Sequence, residues 1–406
     1  MSTSPSTRTS QWPVWLCWLA MVLDGFDLVV LGTVIPTLIK TGELGFDAVG
    51  ATLVATISLV GVGLGALFIA PLSDRFGRRK LVVACVLWFS IFTLAVAWAP
   101  NVAVFGAFRL LAGVGLGACL PVALAYMNDY APAGSAGKST TRTMTGYHVG
   151  AVATAFLALI VIPDWRTMFV VGGLAGFALL PFLWFKLPES LPAAADDKNE
   201  EQTGFRDLAK KPYPLVAVAI AAASFMGLLL VYGLNTWLPQ LMASAGYPVT
   251  AGLSLLLVLN LGAVTGLIIA GILADKHGTK PIVLLWFGLS AACLALLSIK
   301  VDNALLLNAL VFVTGVFVFS SQVLVYAWVT QVFPARLRAT ALGFAAGVGR
   351  VGAITGPAVT GGLVAAGIAY PWGFYVFAAA GALAVLALVA VPHALAATRT
   401  VKEPAS

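Results

Sequence analysis

Residues 72–80 read LSDRFGRRK, and residues 273–280 read LADKHGTK. Asp74 and Asp275 are 201 residues apart, and so are Gly77 and Gly278. Each copy follows a long apolar stretch, so the chain repeats one kind of loop at the same place in two successive halves. Halves that repeat with their loops on the same side have the same orientation in a membrane. The repeat therefore predicts a chain built from two similar, parallel halves.

The composition is that of a membrane protein. Sixty per cent of the residues are hydrophobic and 10% are charged, whereas a soluble domain carries about 25% charged residues. Twelve apolar stretches are long enough to cross about 30 Å of hydrocarbon, and lipid leaves the helix as their only conformation. We predict an all-α integral membrane protein, with twelve transmembrane helices in two six-helix halves related by pseudo-two-fold symmetry. The predicted spans are 13–37, 49–72, 80–99, 102–127, 142–162, 166–187, 213–242, 250–274, 280–299, 304–330, 338–367 and 371–391.

These spans divide the chain into tails, bundles and a linker. The segment between the sixth and seventh spans is dense in charge and has no apolar period, which indicates a solvated loop. The predicted regions are an N-terminal tail (1–12), a first six-helix bundle (13–187), a linker (188–212), a second six-helix bundle (213–391) and a C-terminal tail (392–406).

The placement of lysine and arginine predicts the orientation. With both termini in the cytoplasm, 18 of these residues lie on the cytoplasmic side and 3 on the outer side, which is the positive-inside pattern of a cell-membrane protein. The remaining two, Arg109 and Arg350, lie within predicted spans. The net charge of +7 thus reflects topology. Because the basic residues are scattered over short loops, we expect no nucleic-acid partner.

Two aspartates lie near the middle of the first span, which reads WLCWLAMVLDGFDLVVLGTVIP over residues 15–36. A carboxylate at bilayer depth costs about 2.5–3.5 kcal/mol on insertion scales. Asp24 and Asp27 are three residues apart and share a helix face, while Gly25 between them permits close approach of another backbone. We predict a polar path with a proton-binding role for both carboxylates. The alternative is a structural role, hydrogen-bonded to backbone or to an arginine.

The loop at Asp74–Arg79 resembles the signature of the major facilitator superfamily, and the resemblance extends over essentially the whole chain. One departure is Ala70, where the family has glycine; the second copy keeps Gly271. The resemblance implies a conformational role for both loops, and Asp129, at the cytoplasmic end of the fourth span, is assigned with them. The predicted gating residues are Asp74, Arg75, Gly77, Arg78, Arg79, Asp129, Asp275 and Gly278.

A narrower resemblance comes from the first span. The pattern D-G-F-D-x-x-x-x-G-x-x-x-P, from Asp24 to Pro36, is similar to that of the aromatic acid:H+ symporter family, with support from residues 237–239 (WLP) and 347–357 (GVGRVGAITGP). It implies proton-coupled uptake of benzoate-like or hydroxybenzoate-like carboxylates by a protein that works as a monomer. The proton gradient would drive transport, with no cofactor.

An aromatic carboxylate needs a cation for its head group and apolar contacts for its ring. A guanidinium can bind a carboxylate through two hydrogen bonds, and we predict that Arg350 does so. Arg109 lies in a run that resembles the superfamily's fourth-helix motif, so it acts in the proton relay with Asp24 and Asp27, as a structural ion-pair partner, or on the substrate. The candidate substrate contacts are Phe26, Tyr147, Tyr232, Trp237, Gln322, Tyr326 and Trp328; each could instead be a packing residue.

Further polar residues in the later spans, Asn235 and Asn260 among them, could line a cavity or form interhelical hydrogen bonds. Two other functions compete with aromatic-acid import. One is another transporter of the same fold, taking up a sugar or another organic anion or exporting drugs against protons. Against export, the pattern G-P-x-x-x-G-G lies in the eleventh span (356–362) rather than the fifth. The other is a membrane enzyme or sensor, but the sequence has no metal cluster, nucleophile elbow or phosphate loop, so we predict no enzymatic activity.

Overall fold

The structure is a computed structural model that describes residues 12–130, 136–188, 208–210 and 212–391. Within these ranges all the regular structure is helical. The predicted N-terminal tail, the linker and the C-terminal tail lie almost entirely outside the described residues. The described helices confirm the all-α architecture that the composition predicts. The physical reason is that lipid-exposed backbone has to satisfy its own hydrogen bonds.

Six long helices come from the first half of the chain. The second of them continues as a π-helical turn (Gly65–Ile69) and a 3₁₀ turn (Ala70–Leu72), and a single helical turn (Ser73–Phe76) then leads into the repeated loop. The six are α1 (Trp12–Thr41), α2 (Ala48–Leu64), α3 (Arg78–Val96), α4 (Val102–Tyr130), α5 (Ala136–Val161) and α6 (Trp165–Lys186).

Six more helices come from the second half. They are α7 (Pro214–Ser244), α8 (Val249–His277), α9 (Thr279–Leu297), α10 (Ala304–Val332), α11 (Ala335–Ala365) and α12 (Ala369–Val389). In the described part of the chain, eleven of the twelve are long and apolar enough to cross a membrane. In α5, the part whose side chains are described, Thr145–Val161, is apolar as well.

The surfaces of the helices are those of a protein surrounded by lipid. Large apolar side chains are exposed at positions such as Leu67, Ile160 and Phe185, which a water-soluble surface would not tolerate in this number. Tryptophans are exposed near helix ends, at Trp12, Trp98 and Trp372. Aromatic rings at these depths match the two membrane–water interfaces.

The described chain divides into two compact units. Of the described residues, the first unit comprises 12–30, 57–130 and 136–188, and the second comprises 31–56, 208–210 and 212–391. The C-terminal part of α1 and the start of α2 therefore belong to the second unit, whereas chain order places them in the first bundle. The contact is close, since a methyl group on Gly32 would lie 2.1 Å from the backbone oxygen of Asn235 in α7. The bundle boundaries drawn from the sequence stay a prediction.

The two repeated loops have the same backbone conformation. Gly77 has φ +91° and ψ 137°, and Gly278 has φ +88° and ψ 146°. Both values lie in a region that residues with a Cβ rarely adopt. Each glycine ends one helix and begins the next, at α3 in the first unit and at α9 in the second. The repeat detected in the sequence is thus also a repeat of structure.

Candidate functional site

A buried ion pair lies in the first unit. The Arg109 guanidinium of α4 donates from Nη1 to Oδ2 of Asp27 at 2.9 Å and from Nη2 to the Asp27 backbone oxygen at 3.0 Å. The Thr93 hydroxyl of α3 donates to the other carboxylate oxygen at 2.7 Å. All three side chains are buried, with exposures of 1–2%. Three helices therefore meet at one carboxylate, and both of its oxygens accept hydrogen bonds.

The guanidinium of this pair lies against aromatic rings. Arg109 Cζ is 5.9 Å from the Phe169 ring of α6, and Phe169 packs edge-on against Phe105 with their centroids 5.5 Å apart. Trp165 completes this fully buried cluster. Water is kept away from the pair, and a low local dielectric strengthens the attraction between its charges. The same environment makes the loss of either charge costly.

Asp24 is also buried, one turn before Asp27 on α1. It lies near Cys85 of α3 and Cys119 of α4. The two carboxylates therefore both face the α3–α4 side of α1, as their spacing predicts. Only Asp27 is within hydrogen-bonding distance of Arg109 among the contacts described here.

Gly25, between the two aspartates, is where α1 crosses α5. A methyl group on Gly25 would lie 2.0 Å from the backbone oxygen of Tyr147. The close approach predicted for this glycine is therefore present, and it sets the depth of α1 against α5. Trp18 supports the same crossing by donating from Nε1 to the Thr145 hydroxyl at 3.1 Å.

We expect Gly25→Ala to destabilise the protein by about 1–3 kcal/mol, the usual cost of overpacking, because the added methyl group meets backbone atoms that cannot rotate away. The matched control is Gly288→Ala in α9, where a methyl group meets nothing within 4 Å. That change should be neutral or slightly stabilising, since alanine favours a helix interior. Thermal unfolding of the purified variants in detergent measures both. Equal melting temperatures for the two variants would contradict the prediction.

Phe26 and Tyr147 were predicted as substrate contacts, and the structure places both at helix crossings of the first unit. The Phe26 ring is buried against Gly172 of α6, where a methyl group would come within 2.8 Å of it. The half-buried Tyr147 ring lies edge-on to His148, with centroids 5.2 Å apart. Phe26 therefore packs α1 on α6, and the Thr93 methyl group of α3 lies beside the same glycine.

The second unit holds the other predicted arginine. Arg350 of α11 is half-buried, and its Nη1 lies 3.3 Å from the Tyr232 hydroxyl of α7. Its neighbour Gly349 faces the same helix, since a methyl group there would lie 2.7 Å from the Ser224 hydroxyl. Two of the predicted substrate residues are thus brought together, a guanidinium and a phenol.

Gln322 of α10 and Trp237 of α7 are both buried, at other heights along α7 than Tyr232. Gln322 of α10 donates from Nε2 to the Ser224 hydroxyl at 3.0 Å, and Gly227 leaves room for its carbonyl. Trp237 is fully buried. Within the described residues, the Gln322 oxygen and the Trp237 indole nitrogen have no hydrogen-bond partner. Both retain a polar atom that could serve a ligand.

Tyr326 and Trp328 lie close to the end of α10. Trp328 is buried, and its ring is 5.9 Å from the Lys280 ammonium at the start of α9. Tyr326 is half-buried, six residues before the end of α10. The structure thus groups Trp328 with the repeated loop.

The basic residues of the loops bind backbone carbonyls near helix ends within their own units. Arg78 donates to the Ala125 oxygen of α4 at 2.8 Å, and Arg79 donates to the Trp184 oxygen of α6. Lys280 donates to the Val391 oxygen, just past α12, at 2.5 Å. Cations at these positions complement the negative end of the helix dipole. The contacts tie each loop to its own bundle.

The remaining predicted gating residues are placed less fully. Arg75 is exposed, with its guanidinium 5.6 Å from the Phe76 ring, and Asp275 is exposed as well. The side chains of Asp74 and Asp129 lie outside the described part of the chain. Their gating role stays a prediction.

Several partners in these sites could not be found in the sequence. Thr93, Phe169 and Ser224 look like any other residue of an apolar helix, and no motif marks them. Which side chain meets Asp27 depends on how α1, α3 and α4 pack. Among the described residues, no group of three or more histidine, cysteine or acidic side chains could hold a metal ion.

Long apolar helices, a repeated loop and buried charges inside the first unit define a polytopic membrane protein with a polar interior. The family model of the Major Facilitator Superfamily matches residues 17–267 and 255–405. The chain belongs to that superfamily, and it is a membrane transporter rather than an enzyme. The family resemblance drawn from the loop and from the first span is confirmed.

Individual relatives agree with this assignment. The chain is 36% identical to the gentisate transporter of Corynebacterium glutamicum, over 91% of this chain and 85% of that protein. It is 31% identical to the benzoate transport protein of Acinetobacter baylyi, over 93% of this chain and 87% of that protein. A solved bacterial homologue of the human lysosomal transporter Spinster has a similar fold, with a TM-score of 0.77 and 18% identity over 95% of this chain and 98% of that one.

Proposed function

We propose that this chain imports an aromatic carboxylate together with protons by alternating access. The observation that supports proton coupling is the buried Asp27–Arg109 pair, because intramembrane ionisable groups in transporters mark proton relays. The names of the gentisate and benzoate transporters support the substrate class. The proposed location is the cell membrane, with both termini cytoplasmic and the monomer as the working unit.

Protonation of Asp27 would change the ion pair directly. A neutral carboxyl group is a weaker acceptor than a carboxylate, so the Nη1–Oδ2 contact of 2.9 Å would weaken. The backbone oxygen of Asp27 would still hold the guanidinium through Nη2. Proton binding would thus loosen Arg109 without releasing it, and it would relieve the repulsion between Asp24 and Asp27.

In the second unit, Arg350 and Tyr232 supply the groups that an aromatic carboxylate needs. The guanidinium matches the carboxylate, and the phenol beside it adds an apolar ring with a polar edge. Gln322 and Trp237 carry additional polar atoms on neighbouring levels of α7 and α10. The repeated loops, tied to helix ends by Arg78, Arg79 and Lys280, would act as the gates.

The energetics give a test of the coupling. One proton that moves with one monovalent anion carries no net charge, whereas a potential of 100 mV contributes about 2.3 kcal/mol per charge moved. We therefore expect labelled benzoate and gentisate to accumulate in proteoliposomes under an inward pH gradient. A valinomycin-imposed potential at equal pH should have hardly any effect.

Control vesicles carry Asp27→Asn protein, which should insert normally but lose accumulation driven by the pH gradient. Strong uptake driven by potential alone would rule out 1:1 coupling. Uptake of neither aromatic acid under either gradient would refute the proposed substrate class.

A further inference from the structure

Two asparagines form an interhelical amide pair inside the second unit. Asn235 of α7 is 2% exposed and Asn260 of α8 is fully buried. Asn260 Nδ2 donates to Asn235 Oδ1 at 3.1 Å and to the Leu256 backbone oxygen at 3.0 Å. The Leu256 carbonyl fixes the orientation of the Asn260 amide, since only its nitrogen can donate there. The Asn235 oxygen must then face Asn260.

This arrangement leaves one donor and one acceptor unused. Asn235 Nδ2 and Asn260 Oδ1 are buried and have no hydrogen-bond partner among the described residues. They are the other ends of the same two amides, so they flank a single hydrogen bond. A buried polar group without a partner destabilises the fold. Two such groups on one amide pair indicate a missing ligand or water.

The chemistry of the missing group follows from the pair. It has to accept a hydrogen bond from the Asn235 nitrogen and donate one to the Asn260 oxygen. A hydroxyl does both, whereas a carboxylate cannot donate, an ammonium cannot accept and a methyl group can do neither. Asn235 lies three residues after Tyr232, on the same face of α7 and about 4.5 Å further along its axis. Tyr232 is the residue that contacts Arg350.

We propose that Asn235 and Asn260 recognise a ring hydroxyl, on the side of the ring away from the carboxylate, and so select hydroxylated aromatic acids over benzoate. This rests on the proposed function, with the carboxylate bound at Arg350. The ring would run along α7 from Arg350 to the amide pair. A site built to hydrogen-bond a hydroxyl discriminates against the analogue that lacks it, because its own polar groups are then left unpaired.

The first test uses the unmodified protein. Initial uptake rates are measured in proteoliposomes for benzoate, 4-hydroxybenzoate, 4-methylbenzoate and 4-methoxybenzoate, the last of which can accept but not donate. We expect 4-hydroxybenzoate to be preferred over benzoate and 4-methylbenzoate by about 5- to 150-fold in kcat/KM, with 4-methoxybenzoate between them. Equal values for the hydroxyl and methyl compounds would overturn the proposal.

The second test replaces the amides. The double variant Asn235→Leu/Asn260→Leu removes both partners together, which avoids leaving one amide unpaired. It should transport benzoate at least as well as the wild type and lose the preference for 4-hydroxybenzoate. The control is Asn308→Leu in α10, whose amide donates to the Ala304 backbone oxygen one turn earlier; it should keep the preference.

The outcomes separate this proposal from a structural role and from the proposed function. If the double variant loses the uptake of benzoate and 4-hydroxybenzoate equally, or if it keeps the preference for 4-hydroxybenzoate, the amide pair is structural, with an ordered water at its unused atoms. If the wild type transports benzoate without favouring 4-hydroxybenzoate, only the hydroxyl site is refuted. If it transports none of the four acids, the proposed function fails as well.

Discussion

Arg109→Ala is expected to abolish the accumulation of substrate and to lower the free energy of unfolding by about 3–5 kcal/mol, the usual cost of removing one partner of a buried ion pair. The Asp27 carboxylate would keep only the Thr93 hydroxyl as a hydrogen-bond partner among the contacts described. The side chain is 2% exposed, so the charge would stay buried without the guanidinium that now pairs with it. The variant is therefore expected to be much less stable than the wild type.

Melting temperature in detergent and gradient-driven uptake in vesicles measure the two effects separately. The double variant Asp27→Asn/Arg109→Gln removes both charges together, so no unpaired charge stays buried and its stability should return towards that of the wild type. Transport should stay lost in the double variant, because the protonatable group is gone. Recovery of gradient-driven accumulation would show that the pair is structural.

Thr93→Val is the matched, milder change. It removes the hydroxyl that donates to Asp27 at 2.7 Å and keeps the shape of the side chain. A hydrogen bond to a charged group contributes about 1.5–3 kcal/mol, so this variant should be less stable than the wild type but more stable than Arg109→Ala. Wild-type melting temperatures in both variants would contradict the arrangement described here.

The parts of the fold that depend on local composition could be predicted from the sequence. Runs of about 20 apolar residues have only one conformation available in lipid, so the helices follow from composition. The repeated loops were recognisable because glycine occurs at the same place in both copies. Gly77 and Gly278 both have a backbone conformation with positive φ, which other residues rarely adopt. The aspartates of α1 stood out because charges are costly at that depth.

The partners of those residues could not be predicted, because they depend on packing between helices distant in sequence. Asp27 is 66 residues from Thr93 and 82 from Arg109. The sequence is equally ambiguous for aromatic residues. An aromatic residue in an apolar span, such as Phe26 or Trp328, looks the same in sequence whether it faces a ligand or another helix. The structure places Phe26 against Gly172 and Trp328 beside Lys280. Asn235 and Asn260 were recognisable as polar residues, but their pairing needed the α7–α8 contact.

Arg350→Ala is expected to cause the largest loss of substrate affinity of any single change in the second unit, because it removes the guanidinium that lies beside the Tyr232 hydroxyl. Arg350→Lys keeps the charge but loses the planar fork, so affinity should fall by about 1–3 kcal/mol, the scale of a charge-assisted hydrogen bond. That range corresponds to about 5- to 150-fold in Kd. Calorimetry with benzoate and 4-hydroxybenzoate on the purified protein measures both variants.

Tyr232→Phe is the control for the environment of the guanidinium. It removes only the hydroxyl that lies 3.3 Å from Nη1, so it should cost less than Arg350→Lys if the arginine itself binds the carboxylate. The wild type, Arg350→Lys and Tyr232→Phe should each bind the aromatic carboxylate more tightly than the corresponding aromatic amide. Arg350→Ala should bind the two ligands equally. Unchanged affinity in Arg350→Ala together with a large loss in Arg109→Ala would transfer the carboxylate to Arg109. Because Arg109 already holds Asp27 through two hydrogen bonds, that result would make the substrate and Asp27 competitors for one guanidinium.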